Sequence, residues 1–221
     1  MTQSPPLAAD VIASGIHDAK NGLFDALARI GVASRSIRGG QGDAALPALD
    51  EAEQAILASA ERLSKLLSAY RLARHENPVS MLPVDVGALL EDVLQRVQAR
   101  RAGDIVIESR CAFEGIWVCD RELVADCLVN ALQNALHAAR ALIRLSVVEG
   151  DTGLTFEVAD DGPGFPAELS EPARRAESGR SGIGLYIAQR IAHLHERRGK
   201  RGKLFLSNAD AGGAVFRLTL P

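Results

Sequence analysis

Between Leu7 and Arg38, apolar side chains at Ile12, Ile16, Ala19, Leu23, Ala26, Ile30, Ala33 and Ile37 recur at alternating intervals of four and three. Steps averaging about 3.5 residues put all eight on one seam of a single long helix of the coiled-coil kind. Gly39-Gly40-Gln41-Gly42 ends it, Asp43 is placed to N-cap a second helix, and Pro47 is admissible only because it falls near a first turn. That second helix runs to about Arg74, with Leu49, Ala52, Ile56, Ala60, Leu63, Leu67 and Tyr70 along one face. A short glycine-rich turn makes successive helices antiparallel neighbours, so residues 7–74 are predicted to form an all-α helical hairpin. Two helices alone bury too little, which favours a dimeric four-helix bundle, and hence a homodimer.

Beyond the hairpin the periods mix. The stretch 77–84, with Pro78 and Pro83, reads as a linker between residues 1–76 and 85–221. Helices are predicted from about Asp85 to Arg100, from Asp120 onward, and from about Gly182 to His195. Strands are predicted at Ile105 to Ser109, Ile116 to Cys119, Ile143 to Val148, Leu154 to Ala159, Lys203 to Ser207 and Ala214 to Leu220. This is an α+β arrangement, one sheet with helices on a face.

Composition removes several function classes. A net charge of −3 excludes a nucleic-acid binder that relies on bulk positive charge. The longest uncharged stretch, Cys127 to Ala139, has 13 residues, whereas a membrane-spanning helix needs roughly 18 or more, so no membrane insertion is expected. Cys111, Cys119 and Cys127 stand eight apart with no CxxC pair, which supports neither a disulfide framework nor a zinc site. The N-terminus lacks a basic segment followed by an apolar one, and the expected compartment is the cytoplasm.

Two constellations carry chemistry. The helix after Asp120 reads LVADCLVNALQNALHAAR, and its Asn130, Asn134 and His137, spaced by four and three, share one face. Asparagine is a poor residue for a helix interior, so a pair of them in a Leu/Ala-rich helix points to a use beyond helix building. Downstream, VADDGPGFP ends a strand on Asp160 and continues through Gly162 and Gly164, placing a carboxylate where backbone can approach a ligand closely. Alone, Asp-Gly would be a turn. Gly182-Ile183-Gly184-Leu185 then opens a helix whose free N–H groups and dipole favour phosphate.

In this order, these segments resemble the ATP-binding domain of histidine protein kinases, shared with gyrase-type ATPases and heat-shock chaperones. NALQNALHAA is similar to the family's N box, DDGPG to its first glycine box, SGIGL to its second, and GGAVFRLTLP to its closing strand. The resemblance implies an α+β sandwich that binds ATP and Mg²⁺. Asn134 would ligate the metal and Asn130 would support the phosphate site. Asp160 would read the adenine amino group, and Gly162, Gly164, Gly182 and Gly184, with His137 and Leu185, would shape the nucleotide pocket.

The first helix resembles the same family's phosphoacceptor box at SGIHDAKNGL. His17 lies beside the apolar seam rather than in it, and a neutral imidazole near its pKa is a competent nucleophile. Asn21, four residues on, stacks on the same face, where its amide could position a water. The role of Asp18, orienting the ring and accepting its Nδ1 proton, is implied by the resemblance alone. Departures from the family pattern are Gly22 in place of a usual Pro, no aromatic-rich F box, His137 in place of a basic residue, and Arg180 in place of a glycine; Arg174, Arg175 and Arg180 are candidates to compensate at the phosphates.

The expected activity is thus that of a protein-histidine kinase of two-component signal transduction. His17 would be phosphorylated from ATP, and an aspartate on the receiver domain of a response regulator would take the phosphoryl group, with regulator dephosphorylation as a further activity. Signal input is expected from a separate sensor or receptor protein. Two other readings stand beside it: a phosphotransferase or phosphatase with a degenerate ATP domain, and a non-enzymatic regulator that sequesters a partner.

Overall fold

Which half of each apolar seam is covered organises the N-terminal hairpin. The computed structural model describes residues 6–74, 79–98, 105–165 and 182–221, and divides the chain into two compact units, Met1–Glu76 and Asn77–Pro221. In the first unit α1 (Pro6–Arg38) packs along α2 (Leu46–Arg74). Ala19, Ala26 and Ala33 of α1 are buried, as are Ala52, Ser59 and Leu66 of α2 and Ala45 just before it. Both sets repeat every seven residues, so each helix presents a narrow stripe, mostly of small residues, to the other. A side chain at Gly22 would run into the Ser59 hydroxyl, which itself donates to the Ala55 carbonyl at 2.8 Å. Close approach of the two helices therefore accounts for a glycine at position 22.

The hairpin covers only part of the expected α1 seam. Its large members Ile16, Leu23, Ile30 and Ile37 are exposed on α1, as are Leu49, Ile56 and Leu63 on α2. Ala60 is exposed too, while the side chains of Ile12, Leu67 and Tyr70 lie outside the described residues. Asp43, expected to cap α2, instead opens a 3₁₀ turn, Asp43–Ala45, that runs directly into it.

In the second unit β1 (Leu82–Asp85), partly in the stretch read as linker, pairs antiparallel with β3 (Ile116–Cys119). Pro83 is admissible there because a two-stranded sheet has only edges. The main sheet has the order β2 (Val106–Cys111), β4 (Leu142–Gly150), β5 (Gly153–Asp160), β9 (Ala214–Leu220), β8 (Lys203–Asn208), with β2 parallel to β4 and every other pair antiparallel. Alternate residues divide the faces. Ile143, Leu145, Val147, Leu154, Phe156, Val158, Leu218 and Leu220 are buried, with α4 (Arg121–Ala138) and α5 (Gly182–Leu194) packed on the sheet and α3 (Val86–Gln98) on α4. The opposite face is polar, with Thr155 hydrogen-bonded to Thr219 at 3.0 Å, Arg144 to Glu108 at 3.4 Å, and Arg217 to Glu157. A small exposed hairpin, β6 (Glu196–Arg197) and β7 (Lys200–Arg201), follows α5; its two strands hold charged residues alone and carry no strand period in the sequence. No described helix is long and apolar enough to cross a membrane.

A buried histidine ties this unit together. His195, fully buried, accepts the Asp120 backbone N–H on Nε2 at 3.0 Å and bonds the Ile191 carbonyl through Nδ1 at 2.8 Å, so its neutral ring carries the proton on Nδ1. Asp120 in turn caps α4 through the Leu123 N–H and holds the Ser80 N–H with its other oxygen. Burial lowers the His195 pKa from the ordinary histidine value, against smaller raising effects of the Ile191 carbonyl and the Asp120 charge. The unfolded chain therefore takes up a proton that the folded one refuses, and stability falls as pH drops through about 6.5. Thermal unfolding between neutral and mildly acidic pH is expected to show this, and His195→Gln, which can still accept the Asp120 N–H, to remove that part of the slope. An unchanged slope in the variant contradicts the assignment.

Candidate functional site

The end of β5 and the facing side of α4 enclose a cavity of about 100 Å³. Its walls are largely apolar, among them Ala131 and Ala135 of α4, Val158, Leu185 and Ala188 of α5, and Phe216. Polar groups reach it from Asn130 and Asn134 on α4 and from Asp160 at the strand end. The helical spacing of four thus delivers both asparagines to one cavity. His137, expected on the same face, is exposed and is not among the lining residues.

Asp160 is fixed in orientation by two backbone donors. The N–H of Gly162 at 2.8 Å and that of Ala214 at 3.2 Å both reach its Oδ1. Its neighbour Asp161 serves the chain itself: its carboxylate accepts the N–H groups of Arg140 at 2.8 Å and Ala141 at 3.1 Å, holding the α4 to β4 connection. Those backbone donors, Ala141 first, hold the Asp161 carboxyl below the usual range. Only one of the paired acids therefore lines the cavity.

Gly162 is buried where any side chain would strike the Ala138 carbonyl. Gly164, on the cavity wall, has φ +85°, a left-handed conformation that glycine adopts without penalty. Gly182 opens α5, and Gly184 and Leu185 one turn in line the cavity, with the Gly184 Cα hydrogen facing the Asn134 amide; a Cβ there would sit 4.0 Å from Nδ2. Arg174, Arg175 and Arg180 lie outside the described residues.

Cys127, Phe165 and Ala214 also line the cavity and were not singled out from the sequence. Cys127 precedes Asn130 by three and Asn134 by seven, so helical periodicity was a usable signal for it. Burial pushes its thiol up to about 12, which makes it an apolar wall rather than a nucleophile. Phe165 and Ala214 come from separate segments, and no local pattern marks them.

On the hairpin, His17 is exposed with its Nδ1 3.2 Å from Asn21 Nδ2 and 3.7 Å from Asp18 Oδ1. The Asn21 amide donates to that nitrogen in the tautomer that carries the ring proton on Nε2. The Asp18 carboxylate lies at ion-pair distance from the same atom. All three predicted residues therefore meet at one ring nitrogen, including Asp18, whose approach helical spacing did not require. Among the described residues no cluster of three or more His, Cys, Asp or Glu is arranged to hold a metal ion.

Comparison with known proteins bears on this geometry. Residues 119–221 match the family described as "Histidine kinase-, DNA gyrase B-, and HSP90-like ATPase". The chain is 28% identical over 193 residues to the signal transduction histidine-protein kinase AfsQ2 of Streptomyces coelicolor, covering 82% of this chain and 35% of that protein. In structure it is similar to the Acinetobacter baumannii histidine kinase AdeS, with a TM-score of 0.69, 16% identity, and coverage of 92% of this chain and 96% of that one. It is also similar to the ATP-binding domain of PrrB from Mycobacterium tuberculosis, with a TM-score of 0.52, 28% identity, and coverage of 64% and 97%. The chain spans about a third of the length of the curated relatives it matches first.

Proposed function

We propose that this chain, which through residues 119–221 carries the histidine kinase-, DNA gyrase B- and HSP90-like ATPase fold and is a relative of the sensor histidine kinases, is a protein-histidine kinase in which His17 takes the γ-phosphoryl group of ATP and passes it to an aspartate of a response regulator. The observation that carries the reading is the pairing of two sites in one chain: an oriented carboxylate at the end of an apolar cavity, and an exposed histidine whose Nδ1 lies beside both an amide and a carboxylate.

An adenine ring fits the first site by its chemistry. It has apolar faces for the alanine, valine and leucine walls and an amino group to donate to Asp160, whose rotation is blocked by two backbone N–H groups. Asn134 offers one neutral oxygen, which suits Mg²⁺, an ion that takes most of its ligands from phosphates and water. When bound, the ion would neutralise charge on the phosphates, and the chain's share of catalysis is then largely positioning.

At His17 the proton has to be in the right place. Attack by Nε2 requires its lone pair to be free, and so requires the proton on Nδ1. Donation from Asn21 opposes that tautomer, whereas Asp18 as acceptor of an Nδ1–H favours it. Exchange of the Asn21 contact for the Asp18 contact would therefore arm the ring. After transfer, the Asn21 amide would align a water for regulator dephosphorylation.

The exposed heptad stripes supply the assembly: Ile16, Leu23, Ile30 and Ile37 with Leu49, Ile56 and Leu63 form an apolar surface that a second copy of the hairpin would cover. Light scattering should give twice the 23.5 kDa chain mass, and the double substitution Leu23→Glu, Ile30→Glu, at exposed positions, should give a folded monomer. A monomeric unmodified chain at micromolar concentration contradicts the bundle.

Incubation with ATP labelled on its γ-phosphate tests the reaction. The unmodified protein should gain acid-labile label. His17→Ala should bind ATP and gain none, and Asn134→Ala should lose Mg²⁺-dependent binding by about tenfold or more, the scale of one polar ligand to a charged group. Label that persists on His17→Ala would overturn the assignment of the phosphoacceptor.

A further inference from the structure

From the geometry we infer that Asn208 is a positioning residue of the nucleotide cavity, an inference that rests on the nucleotide-binding reading and extends it to a side chain outside the cavity's glycine and asparagine motifs. Asn208 is the last residue of β8. Its side-chain oxygen accepts the Phe165 N–H at 2.7 Å, and its amide nitrogen donates to the Phe165 carbonyl at 3.0 Å. One carboxamide thus pairs both polar groups of one residue's backbone, as a neighbouring strand would. Phe165 and Gly164 form part of the cavity wall.

The neighbours show why this contact bears on the cavity. In the sheet Asn208 stands opposite Ala214, and the Ala214 N–H is one of the two donors that fix the Asp160 carboxylate. The other donor is Gly162, two residues before Gly164. Asp160, Gly162, Gly164, Phe165, Asn208 and Ala214 therefore form a closed ring of chain and hydrogen bonds. Four of its members, Asp160, Gly164, Phe165 and Ala214, line the cavity.

The fit is specific to a carboxamide and a glycine. A Cβ on Gly164 would lie 2.8 Å from Asn208 Oδ1 and 2.9 Å from its Cγ, so any other residue there would displace the amide. Ala at 208 removes both bonds, and Asp keeps the acceptor for the Phe165 N–H but turns a repulsive oxygen toward the Phe165 carbonyl. Without the amide, Phe165 and Gly164 are released from β8, and the loop that leaves Asp160 loses its second anchor. The Asp160 oxygen keeps its own two donors, so the loss falls on the cavity wall rather than on the sheet.

The test is calorimetric titration of the full chain with Mg²⁺ and ADP, which binds without transferring a phosphoryl group. Asn208→Ala should weaken binding by about tenfold, the scale of two lost neutral hydrogen bonds, with little change in thermal unfolding of the nucleotide-free protein. Asn208→Asp, which keeps the acceptor for the Phe165 N–H and loses the donor to the Phe165 carbonyl, should be weakened too, and hydrogen exchange at the Phe165 amide should quicken in Asn208→Ala more than in Asn208→Asp. The aspartate variant keeps the test open even if the alanine variant unfolds. Binding equal to that of the unmodified protein in either variant overturns the role of Asn208 while leaving the nucleotide site intact. If the unmodified protein binds no nucleotide, the site reading falls and this inference falls with it.

Discussion

Two backbone N–H groups converging on one oxygen of Asp160 determine how the second unit can work. A carboxylate at a strand end would ordinarily turn freely in water, but donors from Gly162 and Ala214 fix its plane. Those donors exist because β9 lies beside β5 and because the chain turns sharply after the strand, so the sheet order itself sets the direction of a single acid. α4 then brings Asn130 and Asn134 to the same cavity from the helical layer. The hydrophobic face that glues α4 to the sheet is thus also what keeps the asparagines opposite the acid.

The hairpin obeys a different constraint, that of side-chain size. Alanines, with Gly22 and Ser59, sit where α1 and α2 meet, because small residues let backbones approach. Larger residues of the same seam have no room there and stay exposed at positions 16, 23, 30 and 37. His17 comes directly after the first of these large positions, which places its ring outside the α1 and α2 contact and open to solvent.

Much of this was legible in the sequence, and the remainder was hidden for definable reasons. Long periodic helices and alternating strands announced themselves, as did the pairing of Asn130 with Asn134, because each depends on spacing within one segment. The division of the α1 seam did not, since Ala19 and Ile16 carry the same binary pattern and differ only in volume. β1 was obscured by Pro83, which usually marks the end of a strand. Phe165 and Asn208 are separated by 43 residues, and a hydrogen bond between such positions leaves no local trace. Position alone could not distinguish Asp160 from Asp161 either. That choice rests on the resemblance to the kinase family; both carboxylates accept backbone N–H groups, and of the two only Asp160 lines the cavity.

On the proposed reading, the cavity bounded by Asn134 and Asp160 holds an adenine nucleotide. Backbone amide spectra of the isotopically labelled full chain, recorded while Mg²⁺ and ATP are added, report directly on its location. A nucleotide seated there predicts saturable shifts concentrated at Asp160 to Phe165, at Asn130 and Asn134, and at Gly184 and Leu185, with the β2 edge of the sheet unmoved. Saturable shifts that leave these residues untouched, or no shifts at millimolar ATP, would contradict it.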